Sequence, residues 1–95
     1  MLVIAIDYDG TWDRAPDLWS QFVAKALAAN HVVIVVTGRL DGPNSGKEVR
    51  EAVGDLPIVF AGPRPKKAVA EEKGYTVDIW IDDSPCRVDN PLDSE

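Results

Sequence analysis

Four short apolar runs, separated by segments of helical periodicity, constrain this chain more than any other feature. Leu2-Val3-Ile4-Ala5-Ile6 is continuous rather than alternating, the pattern of a strand buried on both faces. His31-Val32-Val33-Ile34-Val35-Val36 is the most β-branched of the four. Pro57-Ile58-Val59-Phe60-Ala61 is shorter and suits a place nearer a sheet edge. Thr76-Val77-Asp78-Ile79-Trp80-Ile81 partly alternates, with Val77, Ile79 and Ile81 on one face. Between the first two runs Leu18, Trp19, Phe22, Val23, Ala26 and Leu27 form a helical stripe that Pro16 opens and Asn30 stops. Ser45 and Glu48 have the spacing of a capping box for a second helix, with Val49, Ala52 and Val53 as its thin apolar face and Gly54 as its stop. A third helix runs from about Pro65 to Lys73 and ends at Gly74. Strand and helix thus alternate throughout. That order predicts an α/β fold: a three-layer α/β/α sandwich around a four-stranded parallel sheet with right-handed crossovers.

The chain has 95 residues, 45% hydrophobic and 27% charged, which is ordinary globular composition for one small domain. Ten basic against sixteen acidic side chains leave a net charge of −6, which argues against general binding to nucleic acid or anionic membranes. One cysteine, Cys86, excludes an internal disulfide and a cysteine-based zinc cage. The N-terminus lacks a basic leader and reaches an acid at Asp7, and no apolar run approaches a membrane span. The expectation is a soluble cytoplasmic protein without membrane partners. Residues 1–86 read as the catalytic domain and 87–95 as an acidic, weakly ordered surface tail.

In an open parallel sheet the ligand site lies beyond the carboxyl ends of the strands. Those ends carry Asp7-Tyr8-Asp9-Gly10-Thr11, Thr37-Gly38-Arg39, Arg64-Pro65-Lys66-Lys67 and Asp82-Asp83-Ser84-Pro85. Asp7, Asp9, Asp82 and Asp83 cannot all be ionised at close quarters without a counter-ion. Oxygen-only ligands at strand ends suit Mg²⁺, which in turn accepts a phosphate oxygen. Lys66 (or its neighbour Lys67) and the Thr37 hydroxyl would hold the other phosphate oxygens, with backbone N–H groups of the Gly10 and Gly38 turns as neutral donors. If the chain stays extended past Ile6, Asp7 and Asp9 leave on the same face. One carboxyl can then attack phosphorus while the other moves protons.

These four segments resemble, in the same order, the four motifs of the haloacid dehalogenase (HAD) superfamily of phosphotransferases. The resemblance spans nearly the whole chain. It implies a sheet in the order 3-2-1-4 and an aspartyl-phosphate mechanism, with Asp7 as nucleophile and Asp9 as general acid/base. It further implies Mg²⁺ held by the Asp7 carboxylate, the Asp9 backbone carbonyl and a fourth-motif acid. Asp83 is favoured for that acid, with Asp82 a second ligand or an outer partner. Thr37 and Lys66 complete the catalytic set; Thr11, Gly38 and Arg39 are candidates for substrate binding. Most members of that superfamily carry a cap domain. Here Thr11 to Thr37 is filled by a helix and a strand, and so is Thr37 to Lys66, which leaves no room for one. The flap after the first motif is cut down to about residues 12–16. An open site suits a large substrate that brings its own lid, or capping by a second subunit.

Each residue also has a plainer role. Asp7 and Asp9 could be polar turn residues, Thr37 a turn cap, and Arg39 a surface cation. His31, at the far end of its strand, is structural. Trp12 either stacks on a substrate ring or pins the flap to the core. Trp19 is core, Trp80 packs under a helix or marks an interface, and Cys86 is an inert thiol. The alternative to a hydrolase is a non-catalytic or phosphoacceptor module, HAD-like or receiver-like. Receiver domains place the Thr and the acidic pair in a different order, and a Toprim-type metal nuclease reverses the order of its acids. The reading is therefore a Mg²⁺-dependent phosphomonoester hydrolase. Its substrate would be a small phosphometabolite, a nucleotide or a macromolecular phosphate end, with Arg39, Lys47, Arg50, Arg64 and Lys66 as a local positive rim.

Overall fold

The computed structural model describes residues 1–91, in which β1 (Val3–Ile6), β2 (Val32–Thr37), β3 (Ile58–Phe60) and β4 (Ile79–Ile81) form one parallel sheet in the order β3-β2-β1-β4. The helices are α1 (Pro16–Ala28), α2 (Ser45–Val53), α3 (Lys66–Glu72) and α4 (Cys86–Asp89), with a single 3₁₀ turn at Trp12–Arg14. No helix among the described residues is long and apolar enough to cross a membrane.

The continuous apolar runs become central strands because alternate residues serve opposite faces. Ile4, Ile6, Val33 and Val35 pack with Val23 and Ala26 of α1 and Val49 and Val53 of α2. Ala5, Ile34 and Val36 pack on the other side with Val59 and with Val69 of α3. Three layers result, with β1 and β2 buried at the centre.

Several local details depart from the sequence reading. Ser45 and Glu48 make no capping box: the Ser45 hydroxyl donates to the Leu40 carbonyl, and Glu48 accepts from Tyr8 and Arg39. Those partners offer Glu48 hydroxyl and guanidinium donors, which compete with a backbone N–H. β4 is shorter than its run, because Asp78 already pairs with Val3 through both its backbone N–H and its carboxylate. Val77 therefore precedes the strand and packs on the α3 face, while Ile81 packs on the α1/α2 face. Residues 86–89 are not tail but α4, anchored by the buried Val88. Of the expected tail, residues 92–95 lie outside the described residues.

The plainer roles hold for several side chains. His31 Nδ1 accepts the Leu2 N–H, far from the strand ends that matter. Trp12 is buried in the core and pins the flap, which removes it as a stacking platform for substrate. Trp19 donates to the Thr11 carbonyl at 3.0 Å, and Trp80 packs against the α3 face.

Candidate active site

β1 delivers Asp7 at its last turn of backbone, where the Asp7 N–H still bonds the Ile81 carbonyl of β4. The chain then turns instead of running on extended. The Thr11 N–H bonds the Tyr8 carbonyl, and Gly10 adopts φ +85°, a conformation that favours glycine. Asp7 and Asp9 consequently face different partners, although both line the same cleft. A Cβ on Gly10 would overlap the Asp83 carboxylate, so the turn after β1 and Asp83 meet only because that position is bare.

Asp7 is buried, and Lys66 Nζ donates to its Oδ1 at 2.8 Å. The same ammonium donates to Asp82 Oδ2 at 2.6 Å, while Asp82 Oδ1 accepts the Ser84 N–H. This settles which lysine enters the site: Lys66 is buried, and Lys67 is exposed. It also separates the two acids after β4. Asp82 spends both oxygens holding Lys66 and the Ser84 turn, whereas Asp83 lines the cleft.

Thr11 braces the carboxylates. Its hydroxyl lies 3.2 Å from Asp83 Oδ1 and 3.5 Å from Asp7 Oδ2, and its oxygen accepts the Asp83 N–H. Thr11, expected as a substrate contact, thus faces these two acids and bonds to both. Burial pushes the Asp7 carboxyl up to about 7, against the pull of Lys66 and with a further push from its hydrogen bond to Asp83. The Asp7 carboxyl beside it, and then the Thr11 hydroxyl, hold the Asp83 carboxyl below its ordinary value.

Carboxylate oxygens of Asp7, Asp82 and Asp83 all lie within 4.8 Å of one another. The donor set is oxygen alone and carries more negative charge than Lys66 neutralises, which fits a hard divalent cation. The Asp9 carboxylate is not part of this cluster. It is 49% exposed and gripped by Arg39, whose Nε and Nη2 donate to its two oxygens at 2.9 and 2.7 Å. Arg39 also lies over the Tyr8 ring and donates to Ser45 O and Glu48, so it is committed within the protein. Thr37 is fully buried, and its hydroxyl oxygen accepts the Arg39 N–H, the turn-capping contact that was its plainer role.

The cleft over these groups holds about 330 Å³ and is lined by Asp7, Asp9, Gly38, Lys66 and Asp83, with Ser84, Cys86 and Arg87 at its rim. A larger hollow of about 550 Å³ lies beside the edge strand β3, where the one acid among the described lining residues, Asp41, is paired with Arg50. It has no cluster to do chemistry. The expected positive rim is dispersed: Arg50 belongs to that other hollow, Lys47 pairs with Glu51, and Arg64 with Glu72. Arg87 was missed. It reaches the cleft from α4, and reading that stretch as tail hid a cation that follows Asp82-Asp83-Ser84-Pro85 closely.

Compared with protein-family models, curated proteins and solved structures, the chain matches none.

Proposed function

We propose that the chain is a minimal, capless phosphotransferase of the HAD type that hydrolyses phosphomonoesters with Mg²⁺. One observation carries the reading: a buried carboxylate at the end of β1 is held by Lys66 and lies within 4.8 Å of two further carboxylates from the end of β4. Mg²⁺ would be held by Asp7, Asp83 and the Asp9 backbone carbonyl, and would supply positive charge to the phosphoryl oxygens.

An Asp7 oxygen forms the bond to phosphorus as the ester P–O bond breaks, and the departing oxygen takes a proton from Asp9. Water then adds to phosphorus, gives a proton to Asp9, and releases inorganic phosphate with Asp7 restored. Lys66, fixed by Asp82, steadies the attacking carboxylate and the transferred phosphoryl oxygens. The Gly38 backbone and the Thr37 hydroxyl proton add donors at the end of β2. The open cleft leaves its cover to the substrate or to a second copy of the chain. The reading belongs in the cytoplasm, where Mg²⁺ and phosphate esters are both plentiful.

The Arg39–Asp9 ion pair favours a second reading, a phosphoacceptor module, because an acid gripped through both oxygens is poorly placed to move protons. An aryl phosphate assay with mass analysis separates the two. Turnover that requires Mg²⁺ and disappears in Asp7→Asn supports the hydrolase. A lasting mass gain of one phosphoryl group on Asp7 without turnover supports the acceptor, and neither signal ends both.

A further inference from the structure

Two cations line the cleft, Lys66 and Arg87. Lys66 is neutralised by Asp7 and Asp82. Around the site Arg39 is neutralised by Asp9 and Glu48, and Arg64 by Glu72. Arg87 differs: among the described residues its hydrogen bonds go only to backbone carbonyls. Nη2 donates to Gly62 O at 2.9 Å, and Nη1 to Asn90 O at 3.1 Å and Arg64 O at 3.3 Å.

A carbonyl satisfies a donor without cancelling a charge. Three of the five guanidinium N–H groups are thereby used, and one on Nε and one on Nη2 are left for a ligand. The same three bonds fix the guanidinium, so little side-chain freedom remains to be lost on binding. Its position is equally specific. A Cβ on Gly38 would stand 3.1 Å from Arg87 Nη2, so the guanidinium lies against the turn that follows Thr37. The chain as a whole carries −6 and repels anions at long range, which leaves this half-buried cation, paired with no carboxylate among the described residues, as the local attraction.

We propose that Arg87 binds a second anionic group of the substrate, so that the cleft selects phosphomonoesters carrying another phosphate nearby over esters of uncharged alcohols. This rests on the phosphomonoester reading of the cleft. The phosphoryl group to be transferred belongs against Asp7 and Lys66, and Arg87 meets what lies on the leaving-group side.

Calorimetric titration in Mg²⁺ with the Asp7→Asn chain, which would hold rather than turn over its ligand, tests the proposal. Adenosine 3′,5′-bisphosphate should bind about tenfold tighter than adenosine 5′-monophosphate, the scale of one charge-assisted contact. Arg87→Gln, which keeps donors for the carbonyls but removes the charge, should bring that ratio close to one. Arg87→Lys should recover part of it. Lys67→Ala, which removes an exposed charge outside the cleft, should leave the ratio in place. A ratio near one before any change at Arg87 overturns the proposal. So does an equal loss for both ligands in Arg87→Gln, which would assign Arg87 to the transferred phosphoryl group. If aryl phosphate turnover by the unaltered chain persists beside either result, Arg87 alone is misassigned. If neither nucleotide binds and no turnover occurs, the phosphomonoester reading falls as well.

Discussion

Arg39 grips both carboxylate oxygens of Asp9, at 2.9 and 2.7 Å, while its guanidinium lies 5.1 Å from the centre of the Tyr8 ring. Tyr8 in turn donates to Glu48, which also accepts from Arg39. The proton-moving group of the proposed reaction is therefore tied to α2 through a network of four side chains. For Asp9 to serve as acid, this grip has to open when substrate arrives.

That requirement makes Asp9→Asn informative about both proposed readings. Loss of a positioned general acid typically costs about 10²–10⁴ in rate. The variant should turn over aryl phosphate slower by that order and accumulate a phosphorylated chain, seen by intact-mass measurement. A phosphoryl lifetime equal to that of the parent would show that Asp9 does not activate water.

Asp7→Asn should abolish turnover without loosening the fold. The parent side chain is buried and its carboxyl is pushed up to about 7, so near neutral pH it is already protonated much of the time. An amide of the same shape spares the structure the cost of a buried charge, and Lys66 keeps Asp82 as its partner. Thermal melting at pH 7 should show a midpoint no lower than the parent's.

Lys66 is the opposite case. Its ammonium is bonded to two buried carboxylates, and Lys66→Met would leave Asp7 and Asp82 facing each other across an apolar gap. Removing one partner of a buried ion pair costs about 3–5 kcal/mol. Chemical denaturation should register a loss of that order without metal, and Mg²⁺ should recover part of it. A loss within ~0.5 kcal/mol would mean that the pair contributes nothing to stability.

The strand ends could be read from the sequence because parallel sheets leave so little choice. Continuous runs such as Val33-Ile34-Val35 must be central, and polar residues directly after them must gather at one edge. Asp7, Lys66, Asp82 and Asp83 therefore came out together. What a side chain does with its neighbours was not legible. Thr11 turned inward because a turn at Tyr8–Thr11 replaces extended chain, and Arg39 found a carboxylate on a loop distant in sequence. Short helices were hidden for a different reason. Four residues around one buried Val88 are too few to show periodicity, so α4 and the guanidinium it carries passed for tail.

Gly10 holds the cluster open. A methyl group there would overlap the Asp83 carboxylate, and φ +85° adds backbone strain on the order of 1–3 kcal/mol. Gly10→Ala should weaken Mg²⁺ binding and turnover together. Asp13, whose carboxylate caps the Gly10 N–H at 2.8 Å, is the control for turn geometry alone. Asp13→Asn should leave more of both than Gly10→Ala does.

Stability should respond to pH in a direction set by Asp7. Its carboxyl titrates at about 7 in the folded chain against 3.8 ordinarily, so the folded state binds the extra proton between those values. A group with a raised folded pKa contributes stability that is complete below its unfolded pKa and is lost as pH rises through the folded one. Without divalent metal, the folding free energy should fall from about pH 4 to beyond pH 7 by a few kcal/mol through this group. A divalent cation favours the ionised acids and must displace the proton that the raised Asp7 carboxyl holds, so its binding should strengthen over the same interval. Added Mg²⁺ should consequently raise the melting temperature at pH 8 and do little at pH 5. Asp7→Asn should flatten both dependences, and an equal Mg²⁺ effect at the two pH values would show that the cluster takes up no cation.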